Sequence, residues 1–191
     1  MKKSLTIVIA DDEALLRLDL REMLEEAGHR VAGEAADGYK AVELAKKYKP
    51  DLVIMDVKMP RMDGLVAAKK ISEARIAPVL LLTAFSQQNI VEKAKEAGVL
   101  AYLVKPIQES NLFPAIEIAV SRWEEMEGLQ DELEKLKESL EMRKILDRAK
   151  GILMEAHGIS EVEAYRRIRQ YAMKKQKSIK EIAEAVVRAA K

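Results

Sequence analysis

The chain has 191 residues, 49% apolar and 34% charged, with a formal net charge of +1 and no cysteine. That length suits one ordinary domain plus a smaller one, and that composition a folded, helix-rich protein rather than a disordered one. Disulfides, thiolate zinc sites and cysteine nucleophiles are excluded. No apolar run reaches membrane-spanning length and no signal-like leader opens the chain, so the expected location is cytoplasmic, with no membrane partner.

The small net charge hides a segregated pattern. The first 116 residues hold 17 basic and 17 acidic side chains; Glu117 to Met142 holds 3 basic against 9 acidic, a net of −6; Arg143 to Lys191 holds 13 basic against 6 acidic, a net of +7. A neutral block, an acidic block and a basic tail present three different surfaces.

In chain order, Leu5 to Ala10 reads as a strand ending in Asp11-Asp12-Glu13. Leu15, Leu16, Leu18, Leu20, Met23 and Leu24 then recur at helical spacing up to Gly28. Val31 to Ala35 is a short strand, and Gly38 to Tyr48 a helix ended by Pro50. The apolar run Leu52 to Met55, a strand buried on both faces, stops at Asp56. Leu65 to Ser72 is helical, Val79 to Leu82 is a strand with Thr83 at its end, Ile90 to Ala97 is helical, and Ala101 to Val104 is a fifth strand ending at Lys105-Pro106. Strands alternating with helices imply a parallel sheet covered on both faces. His29 and His157, each beside a Gly at a helix end, read as helix-terminal residues rather than ligands.

Taken singly, Asp56 could cap the next turn or carry chemistry. Four strand termini bearing Asp11 and Asp12, Asp56, Thr83 and Lys105 are poorly explained as separate caps. In a flavodoxin-like order, with the first, third, fourth and fifth strands adjacent, they share the crevice at the carboxyl edge of the sheet, where such folds bind ligands. Three crowded carboxylates call for a hard divalent cation with oxygen ligands, and Mg2+ fits best. Lys105 offers a point charge and Thr83 a hydroxyl to phosphoryl oxygens, which is equipment for attaching a phosphoryl group to a carboxylate.

Asp11-Asp12, Asp56 followed by Pro60 and Gly64, Thr83, and Lys105-Pro106 resemble the receiver domain of bacterial two-component response regulators, over about residues 4 to 122. The resemblance implies that Asp56 is the phosphoacceptor, supplied by a sensor histidine kinase. It also implies that Asp11, Asp12, Asp56 and the Lys58 backbone carbonyl surround Mg2+, that Lys105 contacts the phosphate, and that Thr83 and Tyr102 form a switch pair. The only catalysis implied is the domain's own phosphoryl uptake and dephosphorylation, so an independent enzyme is not expected.

From Leu112 the apolar positions Ile116, Ala119, Trp123, Met126, Leu129 or Gln130, Leu133, Leu136 and Leu140 alternate at spacings of three and four. Residues 123 to 142 thus form a connecting helix with coiled-coil character, which could pair in a parallel homodimer on activation or fold back on its own subunit. The basic tail, residues 143 to 190, reads as three helices over about 143–157, 161–175 and 179–190. Two capping boxes mark them, Ser160 with Glu163 and Ser178 with Glu181. The expected inward faces are Ile145, Leu146, Ala149 and Leu153; Val162, Tyr165, Ile168 and Ala172; Ile179, Ile182, Ala183 and Val186.

Ala149-Lys150-Gly151-Ile152-Leu153-Met154, the segment Ala164 to Met173, and Ile182-Ala183 resemble the ANTAR domain, an RNA-binding module of transcription antitermination regulators. The resemblance implies that dimers hold paired stem-loops with six-base loops in a nascent transcript, so that a terminator cannot form. The expected RNA contacts are Lys150, Gly151, Arg169, Tyr171 and Lys174, since unstacked loop bases expose edges and faces that a duplex hides. Two other outputs stay open on the residues alone: a helix-turn-helix reading duplex DNA, and a module that sequesters a protein.

Overall fold

A computed structural model describes residues 4–84 and 97–190. Five parallel strands, β1 (Thr6–Ala10), β2 (Arg30–Ala35), β3 (Leu52–Asp56), β4 (Val79–Thr83) and β5 (Ala101–Val104), form one sheet in the order β2-β1-β3-β4-β5. The helices are α1 (Ala14–Glu26), α2 (Gly38–Tyr48), α3 (Gly64–Glu73), α4 (Glu109–His157), α5 (Glu161–Lys175) and α6 (Ile179–Ala189). The helix expected over Ile90 to Ala97 lies outside the described residues apart from Ala97 itself.

The chain divides into two compact units, residues 1–127 and 128–191. In the first, β3 and β4 are buried at all five positions. Each buried Leu, Ile or Val there contributes about 1.5–3 kcal/mol, which offsets the cost of ending both strands on buried polar groups. One sheet face packs Val8, Val53, Met55 and Leu81 against Ala41 and Leu44 of α2 and Ala67 and Ile71 of α3. The other packs Ile7, Ile9, Ile54, Leu80 and Leu82 against Leu20 and Leu24 of α1 and Leu112, Ile116 and Ala119 of α4. The first third of the apolar seam on α4 is therefore spent on the sheet. Beyond it Met126, Leu129, Leu133, Leu136 and Leu140 are between 42% and 69% exposed. On α1, Leu15 and Leu18 face outward, although their spacing fits the buried stripe.

In the second unit Ala149 of α4, Ile168 and Ala172 of α5, and Ile182 and Ala183 of α6 form the core. Small residues, Ala149, Ala164, Ala172 and Ala183, stand buried where the three helices meet. The expected inward face of α5 is corrected at two positions. Val162 is 71% exposed and Tyr165 39%, while Ala164 is fully buried. The helix presents its 164, 168 and 172 row, keeping the expected Ile168 and Ala172 but taking Ala164 in place of Tyr165, because consecutive fourth residues lie on one face and the alanines permit closer approach than a Tyr would. Ser178 and Glu181 make a complete capping box at α6. At α5 Ser160 caps the Glu163 amide, but the Glu163 side chain turns instead to Arg166 and Arg167.

Candidate functional site

Parallel strands deliver their C-terminal residues to one edge of the sheet, and four of the five end there on polar groups. Asp11 is fully buried, Asp56 is 5% exposed and Thr83 3%. The Lys105 ammonium lies between the two acids, 2.9 Å from Asp11 Oδ2 and 2.6 Å from Asp56 Oδ1. The remaining oxygens of the acids are held by main-chain donors: the Lys58 amide to Asp56 Oδ2 at 2.7 Å and the Glu13 amide to Asp11 Oδ1 at 2.9 Å. Lys105 also donates its own amide to the Thr83 carbonyl at 2.8 Å, continuing the ladder between β4 and β5. The Lys105–Pro106 peptide bond is cis.

Two carboxylates against one ammonium leave the edge short of positive charge. Burial, the largest influence, together with the neighbouring Asp11, raises the Asp56 carboxyl above the ordinary carboxylate value despite Lys105 and the Lys58 amide. For Lys105, burial works downward, but hydrogen bonds to Asp56 and Asp11 prevail and raise it. The ammonium therefore stays charged at neutral pH. A cleft of about 260 Å³ opens onto this edge, lined by Asp12, Glu13, Asp56, Lys58, Thr83 and Lys105. Asp12 is exposed on its wall, and Tyr102, on β5, is 43% exposed. Among the described residues no three acidic or histidine side chains form a ready-made metal-holding group. Lys105 bridges the two buried acids directly, and Asp12 stands apart from them on the cleft wall. An all-oxygen set of two buried acids, one exposed acid and main-chain carbonyls still suits Mg2+, which takes few carboxylates and completes its shell with water and phosphate.

In the second unit the expected contact residues separate into two kinds. Lys150 is committed within the fold: its ammonium lies 2.6 Å from Asp147 Oδ1 and 2.6 Å from Glu161 Oε1, joining α4 to the first turn of α5. Its side chain is only 14% exposed. Arg169 and Lys174 are exposed with no acidic partner among the described residues, and Tyr171 is 51% exposed with the Lys175 ammonium 5.7 Å over its ring. Gly151 meets nothing: a Cβ built there has no atom within 4 Å, so internal packing does not require it. It borders a groove of about 480 Å³ with Arg143, Lys150, Met154 and Glu161.

Comparison with known proteins agrees with both halves. Residues 7–117 match the response regulator receiver domain, and residues 134–187 match the ANTAR domain. The transcriptional regulatory protein PdtaR of Mycobacterium tuberculosis is 54% identical over 181 residues, covering 95% of this chain and 88% of that one. The chain belongs to the ANTAR-type response regulators. Among chemotaxis proteins, CheY of Thermotoga maritima is 40% identical over 111 residues, 58% of the regulator and 92% of CheY. The receiver domain of a putative NarL from Mycobacterium tuberculosis superposes with a TM-score of 0.60 at 30% identity, covering 63% of the regulator and 98% of that structure. A sensor histidine kinase receiver domain from Pseudomonas aeruginosa, whose structure has a magnesium ion coordinated in its active site cleft, superposes at 0.56 with 29% identity, covering 62% and 99%.

Three residues support the regulator's cleft; Gly64 belongs to the receiver motif, whereas Arg17 and Asp37 do not. Gly64 is one: a Cβ there would land on the Asp56 carbonyl oxygen and 3.0 Å from Val57 Cα, so only Gly lets α3 start against the main chain of Asp56. Arg17 is the second, its guanidinium joining the Asp11 carbonyl (2.7 Å) to Glu34 (3.2 Å) and steadying the acidic turn. The third is Asp37, buried, which caps α2 and pairs with Arg61, pinning the loop after β3. Asp37-Gly38 ahead of a helical pattern is an N-cap signal that could have revealed it.

Proposed function

We propose that Asp56 accepts a phosphoryl group from a sensor histidine kinase, and that this controls dimerisation and RNA binding by the C-terminal bundle. The observation that carries the reading is the Lys105 ammonium shared by two buried carboxylates at the floor of an open cleft. Burying charge of this kind is costly to the fold, and such clusters of perturbed ionisable groups in a cleft are concentrated at functional sites. Asp11, Asp12, Asp56 and the Lys58 carbonyl would hold Mg2+, which supplies positive charge for phosphoryl oxygens when bound. An Asp56 carboxylate oxygen attacks the phosphorus of the kinase's phosphohistidine, the P–N bond breaks and the histidine leaves, and Asp56 becomes an acyl phosphate; Lys105, released from one carboxylate, turns to the phosphoryl oxygens. The Thr83 hydroxyl donates to another of them, and Tyr102, now exposed on the neighbouring strand, follows inward.

The output reading divides the chain into a receiver at 4–122, a coiled-coil connector at 123–142 and an RNA-binding bundle at 143–190. The exposed row from Met126 to Leu140 is the expected seam of an activated homodimer, since a solvated helix has no use for five large apolar side chains at heptad spacing. Arg169, Lys174 and Tyr171, exposed on α5, with Gly151 on α4, are the contacts offered to stem-loops in a nascent transcript, and Lys150 acts by holding α4 and α5 together. No helix among the described residues is long and apolar enough to cross a membrane, which fits the cytoplasmic location this role needs. The test is labelling with acetyl phosphate alongside RNA affinity. Asp56→Asn should abolish labelling and leave RNA affinity indifferent to acetyl phosphate; an undiminished response in that variant refutes the mechanism.

A further inference from the structure

We infer that the apolar slot in the C-terminal bundle, lined by Leu153, Ile168, Tyr171, Ile182 and Val186 with Arg167 at its edge, seats one unstacked RNA base, with Tyr171 as the stacking platform. The inference rests on the RNA-binding reading above and adds to it the place where sequence is read.

The slot is formed by residues from α4, α5 and α6 and encloses about 330 Å³, near the lower end of the range for small-ligand pockets. Its walls are aliphatic, which suits the faces of a heteroaromatic ring rather than a phosphate. Its surroundings are cationic. Arg167 lines the slot itself, held 3.5 Å from Glu163, and Lys175 stands 5.7 Å over the Tyr171 ring. Arg169 and Lys174, on the same helix, have no acidic partner among the described residues. An apolar cavity with the Arg167 and Lys175 cations at its edge matches a flat ring tethered to a polyanion; a purely apolar protein segment would gain nothing from those cations. Tyr171 is half exposed, so its presence is not explained by core packing, whereas aromatic side chains beside basic residues are the usual platform for splayed loop bases.

The experiment uses the full-length protein treated with acetyl phosphate. The probe is a two-hairpin RNA, selected against that protein from a library randomised in its six-base loops and then labelled with 2-aminopurine at single loop positions. Tyr171→Phe, which keeps the ring, should bind within about twofold of the parent, while Tyr171→Leu should lose roughly 5- to 150-fold in affinity. That loss should leave the slope of log Kd against log salt unchanged, because no phosphate contact is removed. Val186→Lys adds a positive charge but fills the slot, so it should weaken binding; a merely electrostatic surface would bind more tightly. One 2-aminopurine position should be quenched by the parent and not by Tyr171→Leu, with thermal melts showing both variants folded. If Tyr171→Leu and Val186→Lys bind the RNA as the parent does, the base seat is wrong while the RNA reading stands. If they instead change only the sedimentation behaviour, the slot is a protein interface and the inference is overturned. If selection yields no RNA bound above a duplex competitor, both the seat and the RNA-binding reading fall.

Discussion

Replacing Gly151 by Ala should make the bundle more stable and its RNA binding weaker. Gly151 lies inside α4, and a Cβ there meets no atom within 4 Å. Glycine in a helix interior costs about 0.8–1 kcal/mol relative to alanine, and no clash opposes the gain here. For a unit of this size that corresponds to a rise in melting temperature of about 4–8 °C per kcal/mol. The proposed reason for keeping a destabilising residue is close approach of the RNA backbone. An extra methyl at such a contact costs about 1–3 kcal/mol, roughly a 5- to 150-fold loss of affinity. The structure supplies a control on the same helix: Gly128 also meets nothing within 4 Å, so Gly128→Ala should raise the melting temperature and leave RNA affinity alone. Circular dichroism melts and fluorescence anisotropy with hairpin RNA measure both quantities. If Gly151→Ala raises the melting temperature yet binds as tightly as the parent, the interface does not include this residue. If neither alanine stabilises, the account of open space around α4 is wrong.

Gly64→Ala should act in the opposite sense, destabilising the receiver by about 1–3 kcal/mol in urea titrations and slowing acetyl-phosphate labelling, because its methyl would meet the Asp56 main chain. Lys105→Met should remove the shared ammonium, drive the Asp56 carboxyl further above its ordinary value and abolish labelling while the fold persists; labelling at the parental rate would count against Lys105 as the phosphate partner. Leu133→Lys or Leu136→Lys alters an exposed position, so monomer stability should change by less than about 0.5 kcal/mol, whereas sedimentation should show loss of the dimer proposed to form with acetyl phosphate. At α6, hydrogen bonds from the Ser178 amide and hydroxyl hold the Glu181 carboxyl below its usual 4.5. The stability this gives is present above pH 4.5 and fades as pH falls through the lower folded-state value, and Glu181→Gln should flatten that part of the pH profile.

The strands and most helix ends were legible because their signals are local: short apolar runs, a Gly or Pro after several of the elements, a Ser three residues before a Glu. The convergence of Asp11, Asp56, Thr83 and Lys105 was legible too, since parallel topology alone brings strand termini to one edge. Three features were not, each because it depends on what a side chain meets in space. Periodicity marked a stripe along α4 but could not say that Leu112 and Ile116 would be covered by the sheet while Leu129 and Leu136 stay largely exposed. Lys150 looked like a free cation, yet one of its two partners comes from the next helix. Tyr165 fitted an inward row that Ala164 takes instead, by a phase difference of one residue.

The single ladder bond from the Lys105 amide to the Thr83 carbonyl has a consequence for dissecting this protein by mutation. Lys105, proposed to steady an arriving phosphate, and Thr83, proposed to report it, hang from one rung, so a backbone shift at either is felt by both. Variants along β4 and β5 should therefore change the speed of charging and the strength of the reply in concert, and the two will resist being tuned apart.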